Sequence, residues 1–171
     1  MPRYVAFLRG VSPQSAKSAD LKRSFESAGF MNVKTILSSG NVAFDAPSKS
    51  EATLEQRSEA ALQEALGRTF YTIVRSSAYL KELLAEDPYT KFKFPSQAKR
   101  VVSFLRGPCE SKLPLPLASD DAYVLGATNR EVFTAYVPNA KGPVFMQLIE
   151  KAFGVNVTTR TWETVRKCAI A

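Results

Sequence analysis

Residues 5–10 read VAFLRG and residues 102–107 read VSFLRG, five identities in six positions. No other feature constrains the fold as much. Two near-identical copies must serve as the same element of one supersecondary unit, and each unit must hide an apolar face of its own. The flanking pattern keeps step with the copies. After the first, Leu21, Phe25 and Ala28 recur at helical spacing and Gly29 ends the helix. Val33, Thr35 and Leu37 alternate as a second strand, Ser38-Ser39-Gly40 makes a turn, and Asn41-Val42-Ala43-Phe44 returns. A helix carrying Leu54, Ala61, Leu62, Ala65 and Leu66 closes at Gly67, and Phe70, Thr72 and Val74 form a fourth strand. Ser76 or Ser77 then caps a helix with Leu80, Leu83 and Leu84.

The second copy restarts this order. A short proline-limited helical segment is predicted around Glu110 to Leu117, and a hairpin from Ala122 to Leu125 and Glu131 to Tyr136, turning at Gly126 to Asn129. An amphipathic helix through Val144, Leu148, Ile149, Ala152 and Phe153 ends at Gly154. Val155 and Val157 lead a last strand, and Arg160-Thr161 precedes a final helix as Arg75-Ser76 does in the first half.

A βαββαβ unit is the ferredoxin-like pattern, an antiparallel four-stranded sheet with its helices on one face. The chain is therefore expected to be α+β: two βαββαβ (ferredoxin-like) halves related by internal duplication, with antiparallel sheets and packed helices. The halves are placed at residues 1–86 and 100–171, joined by a basic aromatic linker at 87–99. That linker mixes Lys91, Lys93, Lys99 and Arg100 with Tyr89, Phe92 and Phe94, and carries no acid between Asp87 and Glu110. The first strand of each half is apolar on successive residues, so both of its faces should be covered. The helix-free faces are expected to bury against the other half or an extra helix.

Composition removes several chemistries. The chain has no histidine, which excludes Ser-His-Asp and Cys-His nucleophilic catalysis and any His-ligated metal. Its two cysteines, Cys109 and Cys168, cannot assemble a zinc cluster or a disulfide framework. There is no Gly-x-Gly-x-x-Gly, no Gly-Lys-Ser/Thr phosphate loop and no paired-carboxylate spacing; Asp120-Asp121 reads as a turn. No cofactor is implied. The start, Met1-Pro2-Arg3-Tyr4, enters a strand directly without signal-peptide anatomy, and no apolar stretch approaches a membrane span, so a cytoplasmic protein is expected. The net charge of +7 favours anionic partners, although solubility alone is the more common reason for such an excess.

Three blocks, Tyr4 to Val11 (YVAFLRGV), Leu37 to Phe44 (LSSGNVAF) and Thr159 to Val165 (TRTWETV), resemble the most recognisable segments of the bacterial family called domain of unknown function 1697. The resemblance implies an α+β protein of duplicated ferredoxin-like character and supplies no activity. The chain departs from the family at Ser12, where an asparagine is typical, and at Thr161 and Glu163, where asparagines often flank the tryptophan. A polar site built by those loops would be altered here.

Six residues are candidates for ligand contact, none of them catalytic or metal-binding. Arg9 and Arg106 end the two repeated strands, each followed by a glycine that lets a ligand approach; a guanidinium fork suits carboxylate or phosphate. Each arginine can equally pair within the fold. Ser39 and Asn41 offer polar groups to an anion, or simply build a hairpin turn. Arg160 and Trp162 combine a cation, a helix start and an aromatic, a set that suits an anion or nucleobase, while a lone tryptophan also suits a core.

The favoured expectation is a module binding an anionic ligand, a phosphorylated metabolite or nucleic acid, in a cleft between the halves. The alternatives are a histidine-free enzyme acting on an anionic metabolite and a protein-interaction scaffold. The linker's interleaved lysines and aromatics suit single-stranded nucleic acid, but Asn41 to Phe44 lacks the aromatic run of an RNA-recognition motif.

Overall fold

Tyr4 to Leu8, apolar at every position, lie in β1 (Arg3–Leu8), and all five are buried. Continuous apolarity suits an inner strand, and β1 is one. The first sheet is antiparallel in the order β2-β3-β1-β4, with β2 Met31–Ile36, β3 Asn41–Asp45 and β4 Thr72–Ser76. Two helices, α1 (Ser18–Ser27) and α2 (Glu51–Leu66), complete the element order βαββαβ, and α3 (Ser77–Glu86) follows β4. The computed structural model describes residues 1–142 and 144–171. They form two units, Met1–Ala85 with Val165–Ala171, and Glu86–Thr164. No helix among the described residues is long and apolar enough to cross a membrane.

In the first unit, alternation sends Tyr4, Ala6 and Leu8 into a core with Leu21 and Phe25 of α1, Leu54 and Leu62 of α2, and Phe30, Val42, Phe44 and Val74. Rings do much of the filling: Phe30 and Phe44 lie 4.3 Å apart between centroids, and Phe25 and Phe44 lie 5.6 Å apart. Val5, Phe7, Ala43, Ile73 and Arg75 point to the other face and are buried as well. Ser50 caps α2, accepting the Thr53 N–H at 3.1 Å, and Gly67 ends it at φ +72°. The Ser76 hydroxyl accepts the Tyr79 N–H at the start of α3. Arg57 of α2 donates to the Ala28 carbonyl just past α1 at 2.7 Å while lying over the Phe30 ring.

Leu37 does not extend β2 as its alternation predicted. It has φ +59°, stands 53 % exposed and opens the turn to β3, and Ile36 takes the buried place. The register slips between Met31 and Lys34, which breaks the strict two-residue period.

The second unit is antiparallel in the order β6-β7-β8-β5-β9. Its strands are β5 (Lys99–Leu105), β6 (Leu117–Ser119), β7 (Ala122–Ala127), β8 (Glu131–Tyr136) and β9 (Val157–Thr161). One face packs on α4 (Val144–Phe153) through Val101, Leu105, Val124, Val132, Ile149, Ala152 and Val157. The helix expected around Glu110 to Leu117 is absent, so this unit is not βαββαβ. Pro108, Pro114 and Pro116 cannot donate backbone N–H groups. Leu113, Leu115 and Leu117 instead pack on the core at every second residue, the spacing of extended chain, and lead into β6. Asp120 and Asp121 form the two-residue β6–β7 turn, both at positive φ.

Gly126 is not a turn residue either. It lies inside β7 at a register shift, and a Cβ there would stand 2.6 Å from the Phe92 ring. Phe92 belongs to the basic aromatic stretch, which is packed rather than loose. After a 3-10 turn at Pro88–Lys91, the buried Tyr89 ring meets Phe133 edge-on at 5.6 Å and Phe94 at 6.2 Å.

α5 (Trp162–Ala169) follows β9 directly, its first turn capped by the Thr161 hydroxyl accepting the Thr164 N–H at 3.2 Å. Both cysteines are free thiols.

Candidate functional site

The β5–β9 register pairs Val101 with Thr161, which sets the first residues of β5 beside the end of β9 and the start of α5. There Ala98, Lys99, Arg100, Thr161, Trp162 and Glu163 line an open groove of about 380 Å³. Lys99, Thr161 and Glu163 are exposed, Arg100 is half-buried, and the Trp162 ring is almost wholly covered. The indole meets Tyr89 edge-on at 5.1 Å, so the tryptophan is part of the core.

Tyr89 anchors the site from below. Its hydroxyl donates to the Val101 carbonyl, and burial pushes its phenol well above the ordinary tyrosine range, only partly opposed by the Thr134 N–H and by Arg100. The phenol stays protonated and acts as a fixed donor, not as an acid or base. The Arg100 guanidinium lies 5.7 Å from the Tyr89 ring centre, and a single contact of 3.6 Å joins it to Asp87. Asp87 sits at φ +41°, and its Oδ1 is buried without a hydrogen-bond partner among the described residues. Arg100 lines the groove, and a guanidinium fork suits an oxyanion.

The six residues singled out in the sequence fall three in each unit. Arg9, Ser39 and Asn41 belong to the first unit, at one end of its sheet, where the Leu8 N–H donates to the Gly40 carbonyl at 2.8 Å. Gly40, at φ +89°, leaves no space for a Cβ, which would stand 2.9 Å from Val11. The Arg9-Gly10-Val11 corner and the Ser38–Gly40 turn are thus packed on one another. Asn41 is buried, and its side-chain amide donates to the Ile36 carbonyl at 2.9 Å and to the Ser39 hydroxyl at 3.0 Å. Both residues therefore serve the turn. Arg106 directly follows β5 in the second unit. Arg160 is buried on β9 and donates to the Thr159 carbonyl at 2.8 Å. Trp162 is level with Arg100, and six strand residues at roughly 3.3 Å each put Arg106 about 20 Å from that end. Trp162 lines the groove, and Arg160, two residues earlier, does not.

A second cavity, of about 310 Å³, is lined by residues including Cys109, Ser111, Thr128, Asn129 and Phe153. Its hydroxyls are committed to its own loops. The Ser111 hydroxyl donates to the Leu113 carbonyl, and the Thr128 hydroxyl accepts the Arg130 and Glu131 N–H groups. The Cys109 thiol donates to the Phe153 carbonyl at 3.6 Å. Among the described residues, no group of three or more potential ligands could hold a metal ion.

Lys99 and Arg100 were visible in the sequence only as the end of a basic aromatic stretch, and Thr161 and Glu163 only as departures from a family block. Strand pairing joins the two. Two antiparallel sheets with helices against them make this an α+β protein. The chain belongs to the protein family of unknown function DUF1697, whose model matches residues 1–133. It is similar in structure to a conserved bacterial protein, SP0830 from Streptococcus pneumoniae, with a TM-score of 0.69 and 18 % identity over 99 % of this chain and 97 % of that one. No curated protein matches the chain.

Proposed function

We propose that this protein binds an anionic ligand, in the groove where β5 meets the start of α5, and that it does so in the cytoplasm. One observation carries the reading: Lys99 and Arg100, adjacent in β5, line one groove with the capped first turn of α5. Two cations beside a helix start favour a phosphate or carboxylate. The net charge of +7 works in the same direction at longer range. The buried rings of Tyr89, Phe133 and Trp162, with the half-buried Phe94, supply the floor.

The test is calorimetric titration of the full chain with inorganic phosphate and pyrophosphate at two salt concentrations. Pyrophosphate should bind more tightly, with an affinity that falls as salt rises, and replacing both Lys99 and Arg100 by alanine should abolish the heat. Binding that survives the double replacement places the site elsewhere and overturns the reading.

We also infer that the two units descend from one duplicated ferredoxin-like unit, although the second has exchanged its first helix for β6 and a proline-rich loop. Support comes from register. Val5 pairs with Arg75 and Val102 with Arg160; Phe7 pairs with the buried Asn41 and Phe104 with the buried Glu131. The Leu8 N–H donates to Gly40 and the Leu105 N–H to Arg130, each at 2.8 Å. Arg75 and Arg160 each donate to the carbonyl of the residue before them, and each precedes a hydroxyl cap, Ser76 or Thr161. Unrelated sheets have no reason to match at so many positions.

A further inference from the structure

We infer that Asp87 is an internal counter-ion opposing the ligand of the β5–α5 groove: an incoming anion must take the charge of Arg100 from it, so the Asp87–Arg100 contact is autoinhibitory. This rests on the anion-binding reading above and adds its control. Arg100 lines the groove and is half-buried. Its guanidinium carries five N–H donors, yet among the described residues it makes no hydrogen bond, and its one ion pair is with Asp87. The 3.6 Å between them lies beyond hydrogen-bond reach.

The backbone of Asp87 is anchored. Its carbonyl accepts the Thr90 N–H at 3.1 Å and the Thr90 hydroxyl at 2.9 Å. The carboxylate is as poorly satisfied as the arginine: Oδ1 is buried without a hydrogen-bond partner among the described residues, and Oδ2 has only the guanidinium. Each charge is compensated, and neither spends its hydrogen-bonding capacity on the other. A pair this loose and partly exposed contributes little to the fold. It leaves the donors of Arg100 open to a better acceptor, and a phosphoryl group engaging two N–H groups at hydrogen-bond distance is one. The guanidinium then serves the ligand, and the Asp87 carboxylate is left unpaired beside a second anion. That repulsion sets the cost of entry.

The experiment titrates pyrophosphate calorimetrically into the full chain at about 0.15 M salt, in wild type, Asp87→Asn, Asp87→Gly and Glu110→Gln. Asp87 sits at φ +41°, a conformation that asparagine and glycine both accept, and thermal unfolding checks the fold of each variant. Glu110→Gln is the charge control, because Glu110 lines the second cavity, toward the other end of β5. Both Asp87 variants should bind pyrophosphate about three- to fivefold more tightly than wild type, the scale of one partly exposed ion pair. Glu110→Gln should change the affinity by less than about twofold, since salt screens a charge at that range. Unchanged or weaker binding in a folded Asp87 variant overturns the inference and leaves the anion reading standing. An equal gain in Glu110→Gln does the same, because net charge alone then explains both. If neither wild type nor any variant binds, the anion reading itself is overturned.

Discussion

The Glu55 carboxylate, buried on α2, accepts the backbone N–H of Val74 on β4 at 2.9 Å. One turn later Glu59 accepts the N–H of Thr72 at 3.2 Å. β4 is an edge strand, and its outward N–H groups at alternate residues match two carboxylates spaced i and i+4 on a helix. The helix side chains stand where a fifth strand would pair, which protects an edge otherwise open to association. Replacing Glu55 by alanine orphans a buried donor and should cost about 1–3 kcal/mol. Urea unfolding should show a lower midpoint at unchanged slope, and a midpoint equal to that of wild type would refute the assignment.

Phe7 and Phe104, the aromatic residues of the two repeated hexapeptides, are both fully buried. Truncating either to alanine should cost about 3–5 kcal/mol, because each leaves a cavity in rigid surroundings. Losses of similar size at the two positions, measured by chemical denaturation, are expected. A loss below about 1 kcal/mol at either site would contradict its core role.

Gly126 and Phe92 should behave as a coupled pair. An alanine methyl at 126 would stand 2.6 Å from the Phe92 ring, so Gly126→Ala alone should lower the melting temperature by several degrees. In a Phe92→Ala background the same change should be nearly neutral. Additive effects in that double-mutant cycle would mean that the two residues do not touch.

Asp45 links stability to acid. Hydrogen bonds from Asn32 and then Arg3 hold its carboxyl below the ordinary aspartate range. A depressed folded-state pKa contributes stability above the unfolded value near 3.9, and the contribution is lost as pH falls through the folded value. Its partly exposed position keeps the effect small, about 1 kcal/mol or less. Wild type should therefore lose more stability than Asp45→Asn between neutral pH and pH 3, and parallel pH curves would exclude the linkage.

Much of this fold is legible in the residues because hydrophobic period and repeat identity agree. The apolar part of each hexapeptide lies in β1 or β5, Gly67 ends α2, and Ser76 caps α3 by the chemistry that its type suggests. Reading fails where two periods compete. The prolines around Leu113, Leu115 and Leu117 suggest a shortened helix, yet the two-residue spacing fits extended chain better. Glycine punctuates turns, but the place of Gly126 is dictated by the Phe92 ring. The groove was legible only as fragments. Lys99, Arg100 and Glu163 are far apart in sequence, and nothing local reveals that β5 and β9 pair at Val101 and Thr161.

Trp162 is the chain's single tryptophan, and it lies against Tyr89 at the groove. The molecule therefore carries a built-in optical probe at its candidate site. Native emission should be blue-shifted and should move to the red when the aromatic floor opens. A ligand settling beside Lys99 and Arg100 should alter the signal without that red shift. Occupancy and unfolding become separable in one cuvette, with no label attached.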